Sequence, residues 1–151
     1  MIHIQLNADE ALQGLHRTAE SLKQGRKLYG ILGEALRTIH KERFEKEQAS
    51  PEGEKWQQLS PMYKARKRKN RDKILIRDGN LKNLLRYQVN DNGVEFGSDR
   101  KYARLHHLGS SKTKGRGSGV VARPWLGVNQ NNKDYLLKKT QHFLRNVNTR
   151  I

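Results

Sequence analysis

Side chains that could carry acid–base or metal chemistry are scattered along this sequence. Six histidines occur in 151 residues, and none forms an i, i+4 pair around a carboxylate, which is the arrangement of a zinc-peptidase helix. His106 and His107 are adjacent and would place their rings on different sides of a helix, so we interpret them as structural. The acids between Asp72 and Asp99 are scattered through turn-like positions, and turn chemistry accounts for most of them without a magnesium site. Cysteine is absent, which excludes disulfides, thiol nucleophiles and cysteine-ligated metals.

Recognisable nucleotide and hydrolase motifs are missing as well. We find no phosphate-binding loop, dinucleotide fingerprint or serine elbow. We therefore predict no catalytic residue, no cofactor and no metal ion. A nuclease or other DNA-processing enzyme remains an alternative, because acids that are distant in sequence can meet in a fold.

Charge is distributed very unevenly along the chain. Lys and Arg total 31 against 15 Asp and Glu, which gives a net charge of +16. Residues 1–60 are neutral, residues 61–119 carry +11 and residues 120–151 carry +5. Like charges within one segment repel one another. The usual reason for such a segment is a nearby polyanion, most commonly nucleic acid.

Two segments could meet such a polyanion. The first is the run from Lys64 to Lys73, which reads either as a solvated helix face or as a surface for phosphates or an acidic partner. The second is the loop 109–119, which has four glycines, three cations and no apolar residue, so we expect it to be mobile. A solubilising surface loop is its alternative interpretation. The candidate DNA-facing or partner-facing residues are Arg66, Lys67, Arg68, Lys69, Lys112, Lys114 and Arg116.

Apolar spacing predicts mainly helices, with one hairpin between them. Asn92-Gly93 predicts a two-residue type I′ turn in which Val89 faces Phe96. Tyr87, Val89, Val94 and Phe96 would then share one face of the hairpin. The other predicted elements are a short strand at residues 2–4, helices at 8–23, 26–47, 62–70 and 102–108, helical turns at 81–85, an extended segment at 120–128 and a last helix at 132–148.

The apolar share of the chain is low, at about 39% when Gly is counted and Tyr is not, against roughly 45–50% in ordinary globular chains. Either part of the chain is disordered, or the fold relies on neighbouring subunits. Trp56 and Trp125 are the expected core anchors. Arg123, which precedes Pro124, either braces an adjacent turn or crosses a subunit boundary. No apolar run approaches the ~20 residues of a membrane-spanning helix, and the N-terminus lacks the pattern of a signal peptide.

Several separated blocks, read in order, resemble one family. The most specific are Pro51-Glu52-Gly53-Glu54-Lys55-Trp56-Gln57-Gln58-Leu59 and Ala122-Arg123-Pro124-Trp125-Leu126-Gly127, with Ile74 to Leu81 and Tyr102 to Gly109 between them. Together they resemble the phage virion-morphogenesis family, the tail-completion proteins of contractile-tailed phages and Mu-like prophages. Related sequences often have His-Gln before the glycine, where this chain has His106-His107-Leu108 before Gly109.

The resemblance implies a fold, a role and a set of partners. It implies one α+β domain over residues 1–151, with helices packed on a small antiparallel sheet, an N-terminal helical pair and a C-terminal helix. It implies a structural protein of the virion neck that forms a ring, hexameric in number, capping the tail tube and allowing head–tail joining. Partners would be other copies, tail-tube and connector proteins, and DNA bound without sequence preference, with no membrane. A stand-alone basic nucleic-acid-binding protein is the alternative from the residues alone.

Overall fold

The computed structural model describes residues 9–111 and 119–149. Within them the fold is α+β, as predicted, with helices packed around one two-stranded antiparallel sheet. The predicted strand at residues 2–4 lies outside the described part. The elements are α1 (Asp9–Lys23), α2 (Gly25–Glu42), α3 (Pro61–Arg66), α4 (Asn80–Asn83), β1 (Arg86–Val89), β2 (Val94–Gly97), α5 (Lys101–Leu108) and α6 (Gln130–Thr149).

The helix predicted at 26–47 consists of two parts, because α2 passes into a π-helical turn at Arg43–Glu47. The turn ends at Gln48, whose left-handed backbone has φ of 50°. Hydrogen bonds from the Gln48 side chain explain why the helix ends here. Its amide nitrogen donates to the Phe44 carbonyl, and its amide oxygen accepts from the Ile74 backbone N–H at 2.6 Å. The π turn thereby aims Arg43 and Phe44 into the core, where both are fully buried.

The basic helix is shorter than predicted. It begins as expected, with the Ser60 hydroxyl accepting from the Tyr63 N–H at 3.3 Å and Pro61 in the first turn. It ends at Arg66 rather than Asn70, because Lys67 adopts extended backbone with ψ of 123°. The Lys67 side chain turns inward and is 4% exposed. Its ammonium donates to the Asn70 carbonyl at 2.8 Å and to the Lys73 carbonyl.

The hairpin forms, but its predicted register is wrong. Val89 pairs with Val94 and Tyr87 with Phe96, so the tip is Asp91-Asn92 instead of Asn92-Gly93. A type I′ turn needs positive φ at both central residues, and neither Asn92 nor Gly93 has it. The Asn90 side chain accepts from the Asn92 N–H at 2.8 Å and stabilises the observed tip. The predicted apolar face survives, because a two-residue slip preserves side-chain parity.

The core lies between the π turn, the hairpin side of α2 and the segments that carry the buried residues from Trp56 to Trp125. Its buried residues include both tryptophans, as predicted, and the Ile74 and Ile76 block. The two glycines of α2 have different surroundings. A Cβ at Gly33 would collide with the Tyr87 ring, so the hairpin packs directly on the helix backbone there. A Cβ at Gly30 would meet nothing within 4 Å.

The two long terminal helices pack on each other, and α6 also packs on α2. α6 contacts both α1 and α2, and it begins with a reciprocal cap in which the Asn129 and Asn132 side chains each accept from the other's backbone N–H. α1 leaves two leucines of its predicted apolar stripe in solvent, with Leu12 55% and Leu15 67% exposed. Among the described helices, none is long and apolar enough to cross a membrane.

Candidate interaction surfaces

An extended segment at residues 119–129, here called the strap, runs across the core and joins α5 to α6. Trp125 is its deepest residue at 2% exposed. The Trp125 indole N–H donates to the Ala103 carbonyl at 3.0 Å. The His107 ring nitrogen Nδ1 accepts from the backbone N–H groups of Trp125 and Leu126 at 3.2 and 3.3 Å. The strap forms no sheet, so side chains and single backbone contacts, such as the Arg123 N–H to the His106 carbonyl at 2.8 Å, satisfy its backbone polar groups.

Arg43 hydrogen-bonds to the strap from within the core. The residue is fully buried, and its Nη1 donates to the carbonyls of Trp125 and Gly127, both at 2.8 Å. Its Nη2 donates to the Asn132 side chain at 3.0 Å, and Glu47 lies 3.8 Å from its Nε. Burial lowers the pKa of Arg43 from its ordinary value, but a guanidinium keeps its charge in proteins. One cation therefore ties the end of α2 to the strap and to the start of α6.

His40, one turn before Arg43, holds the same segment. It is 1% exposed. Its Nδ1 lies 2.7 Å from the Leu36 carbonyl and so carries the proton, which leaves Nε2 to accept from the Gly127 N–H at 3.2 Å. Burial lowers the pKa of His40 to about 4, so the ring is neutral at neutral pH. Gly127 has φ of 146° and packs on Pro51, which favours glycine at this position.

The first half of the strap is held by the segment that carries Trp56. The Trp56 indole N–H donates to the Pro124 carbonyl at 2.7 Å. Arg123 donates to the carbonyls of Gln57 at 2.9 Å and Gln58 at 3.4 Å. Of the two interpretations left open for Arg123, a brace within the chain is therefore the one these bonds support. The two specific blocks of the sequence resemblance meet here.

Sequence reasoning missed Arg43 and His40, although both contact the strap. A signal was present in their spacing. His40, Arg43 and Phe44 fall at i, i+3 and i+4, so a helix places them on one face with an aromatic residue that must be buried. Burial of Arg43 was not predicted because arginine is charged and commonly lies at the surface.

Three of the four basic candidates near α3 are exposed together. Within the described chain, no hydrogen-bond or salt-bridge partner is found for the side chains of Arg66, Arg68 and Lys69. The prediction that Lys67 faces DNA or a partner is wrong, because its buried ammonium donates hydrogen bonds to two carbonyls and does not face solvent. Lys67 instead closes the loop on which Arg68 and Lys69 stand. Burial lowers the pKa of Lys67.

The remaining candidates, Lys112, Lys114 and Arg116, lie outside the described residues. The two ends of their loop are described and are joined. The Ser110 N–H donates to the Val120 carbonyl at 2.8 Å, and the Ser110 hydroxyl accepts from the Val120 N–H at 3.0 Å. The described acids and histidines include no group of three placed to hold a metal ion.

Comparison with known proteins gives one match. The model of the phage virion morphogenesis family matches residues 6–145. That range includes the strap, both tryptophans, Arg43 and His40. Searches of curated proteins and of solved structures returned no match.

Proposed function

The chain belongs to the phage virion morphogenesis family, and we propose that it is a structural protein of the head-proximal end of the tail. In this role it completes the tail, forms a ring that caps the tail tube and allows the head to join around the DNA channel. Its place is the neck of the virion, after assembly in the host cytoplasm. The observation that carries the proposal is the family match along residues 6–145, which includes the whole strap and its supports.

The strap geometry supports a structural role. Arg43, His40, Trp56 and His107 all contribute side-chain atoms to hold one extended segment. These hydrogen bonds tie the strap to α2, to the π turn, to the Trp56 segment and to α5. Buried polar groups that are bonded in this way rigidify a fold, and a rigid subunit suits a structural adaptor.

The low apolar share and the exposed leucines support assembly with other copies. An adaptor at the end of a cylindrical tail presents its surfaces to copies of itself, to tail-tube and sheath proteins below and to connector proteins above. We propose a closed ring, hexameric by likeness to the family. The free protein forms it alone or on meeting the tail tube.

Exposed cations support a DNA-facing side. Arg66, Arg68 and Lys69 lack carboxylate partners within the described chain, so their charge is available to phosphates. Binding of this kind depends on counterion release and carries no sequence preference. The same observation supports a second candidate function, a basic nucleic-acid-binding protein that works without a ring.

Deletion of the coding sequence from the phage tests the proposal. We expect DNA-filled heads and tails to accumulate separately, and the wild-type chain supplied in trans to restore joined particles. Normal particles from the deletion phage would contradict the tail-completion role. Normal head–tail joining with faulty DNA replication or packaging would favour the second candidate.

A further inference from the structure

Two apolar surfaces of this chain have no counterpart within the described molecule. The first is the α1 face that carries Leu12 and Leu15, which are 55% and 67% exposed although they lie one helical turn apart. α1 packs on α6, and that contact leaves both leucines exposed. Large side chains at i and i+3 form a compact ridge on a helix surface.

The second surface is a groove of about 570 Å³ between α2 and α6, with the hairpin at one end. Its apolar lining residues are Gly30, Ile31, Ala35, Tyr87, Tyr135 and Phe143, and its polar lining residues are Lys27, Glu34, Thr38 and Lys139. No described residue of α1 lines this groove. Gly30 weakens a helix interior and meets nothing within 4 Å, so the packing within one chain gives no reason for a glycine here. A glycine in an open groove permits a second helix to approach closely.

We infer that the α1 ridge of one copy packs into the α2–α6 groove of the next copy. The two surfaces differ, so the contact is head-to-tail, and a head-to-tail contact with a suitable rotation closes into a ring. This inference rests on the proposed ring and names the surfaces that would build it.

Charge favours a second copy as the occupant. In a chain of net +16, the segment 9–23 holds three acids and two cations and is therefore net −1. The segment 130–149, which forms α6, holds four cations and one acid and is net +3. Approach of α1 to the α6 side of the groove thus brings opposite charges together, whereas the segment 61–73 would bring seven cations and one acid. Opposite potentials across an interface favour the correct partner and register.

Cross-linking in assembled tails tests the inference. Because the chain has no cysteine of its own, only the introduced cysteines of this chain can react. The double variant Leu15→Cys/Gly30→Cys is built into the phage, and purified tails are treated with a short bismaleimide. We expect a ladder of covalent multimers that ends at the ring number. Each single variant alone should give no ladder. The matched control is Leu108→Cys/Gly30→Cys, because Leu108 on α5 is 58% exposed and is not part of α1; it should also give none.

Variants that block each surface give an independent test in solution. Leu12→Glu/Leu15→Glu removes the ridge, and Gly30→Leu places a side chain in the groove at a position where an added Cβ meets no atom within 4 Å. Under conditions in which the wild type assembles, either alone or on purified tail tubes, each variant alone should stay monomeric with an unfolding midpoint no lower than that of the monomeric wild type. A mixture of the two retains one intact ridge and one intact groove, so it should stop at 1:1 dimers.

The outcomes separate this inference from the proposed function. Tails that show a ring but no ladder would overturn the α1–groove contact and leave the ring intact. Tails that show no ring at all would overturn the proposed function and the inference with it. If Leu15→Cys impairs folding, Leu12→Cys takes its place in the pair and carries the same expectation.

Discussion

Arg43 reaches across 82 residues of sequence to donate a hydrogen bond of 2.8 Å to the carbonyl of Trp125. Neither residue is reached by solvent, at 0% and 2% exposed. The pair joins the π turn after α2 to the strap. Through it, two blocks of sequence that contain no catalytic motif fix the relative position of the N-terminal and C-terminal halves.

Replacing Arg43 with methionine should destabilise the fold strongly. The substitution fills similar space but leaves the carbonyls of Trp125 and Gly127 without donors, and the expected loss is roughly 3 kcal/mol in the free energy of unfolding. Urea unfolding of Arg43→Met against wild type measures it. The control is Arg26→Met, which breaks an exposed pair with Asp91 and should cost no more than about 0.5 kcal/mol. Equal effects of the two substitutions would contradict the role given to Arg43.

Stability should fall in mildly acidic solution because of His40. Its pKa is about 4 in the fold against an ordinary value of 6.5, so the unfolded chain takes up a proton first as the pH drops. The contribution is complete above pH 7 and is lost between about 6.5 and 4, by up to about 3 kcal/mol in the free energy of unfolding. Burial also lowers the pKa of His106, which acts in the same direction.

Unfolding experiments at pH 7.5 and pH 4.5 measure this dependence. His40→Gln keeps an acceptor but cannot titrate, so its stability should change much less between the two values. His142→Gln alters an exposed ring on α6 and should retain the wild-type dependence. A wild-type profile that is flat over this range would show that His40 does not hold the strap as a neutral ring.

DNA binding should depend steeply on salt and involve the α3 surface. Replacing Arg66, Arg68 and Lys69 with serine should reduce the slope of log K against log salt by up to about 3, since each phosphate contact contributes about 0.9. Titrations of a short duplex at several salt concentrations measure this. Removing three scattered lysines, Lys46, Lys101 and Lys138, is the charge-matched control and should reduce the slope less. Salt-insensitive binding by the wild type would contradict the prediction.

The loop 109–119 should be dispensable for folding and necessary for head–tail joining. Ser110 and Val120 already bond to each other, so replacing residues 112–118 with a short linker should leave the unfolding midpoint nearly unchanged. The same variant should join few heads in a complementation assay. Replacing only Lys112, Lys114 and Arg116 with serine should reproduce much of the defect if charge is its cause. Unfolding of the shortened chain would show that the loop is structural, and wild-type joining would show that it is only a solubilising linker.

The sequence was sufficient for the elements and for the apolar anchors, because helical spacing and tryptophan burial are local and strong signals. The buried positions of Trp56 and Trp125 follow from them, and the shared face of Tyr87 and Phe96 follows from the two-residue alternation of a hairpin. The register of the hairpin did not follow, since the Asn92-Gly93 pair competes with a side-chain bond from Asn90 that spacing alone does not reveal.

Long-range polar contacts were the part that could not be predicted. Lys67 stands in a run of exposed cations, and only the carbonyls of the loop that it closes explain its burial. Arg43 similarly needs a strap that begins more than 70 residues later. Charge patterns along a sequence indicate which segments are basic, but burial of one member depends on backbone groups brought in by the fold.

The ring that we propose at the head-proximal end of the tail can be seen by electron imaging of purified tails in which a tag at the C-terminus locates the chain. We expect a closed ring around the DNA channel, six copies in number, at the end of the tube that meets the head. Tails that carry the chain as a monomer or at another position, together with a monomeric free protein, would contradict it.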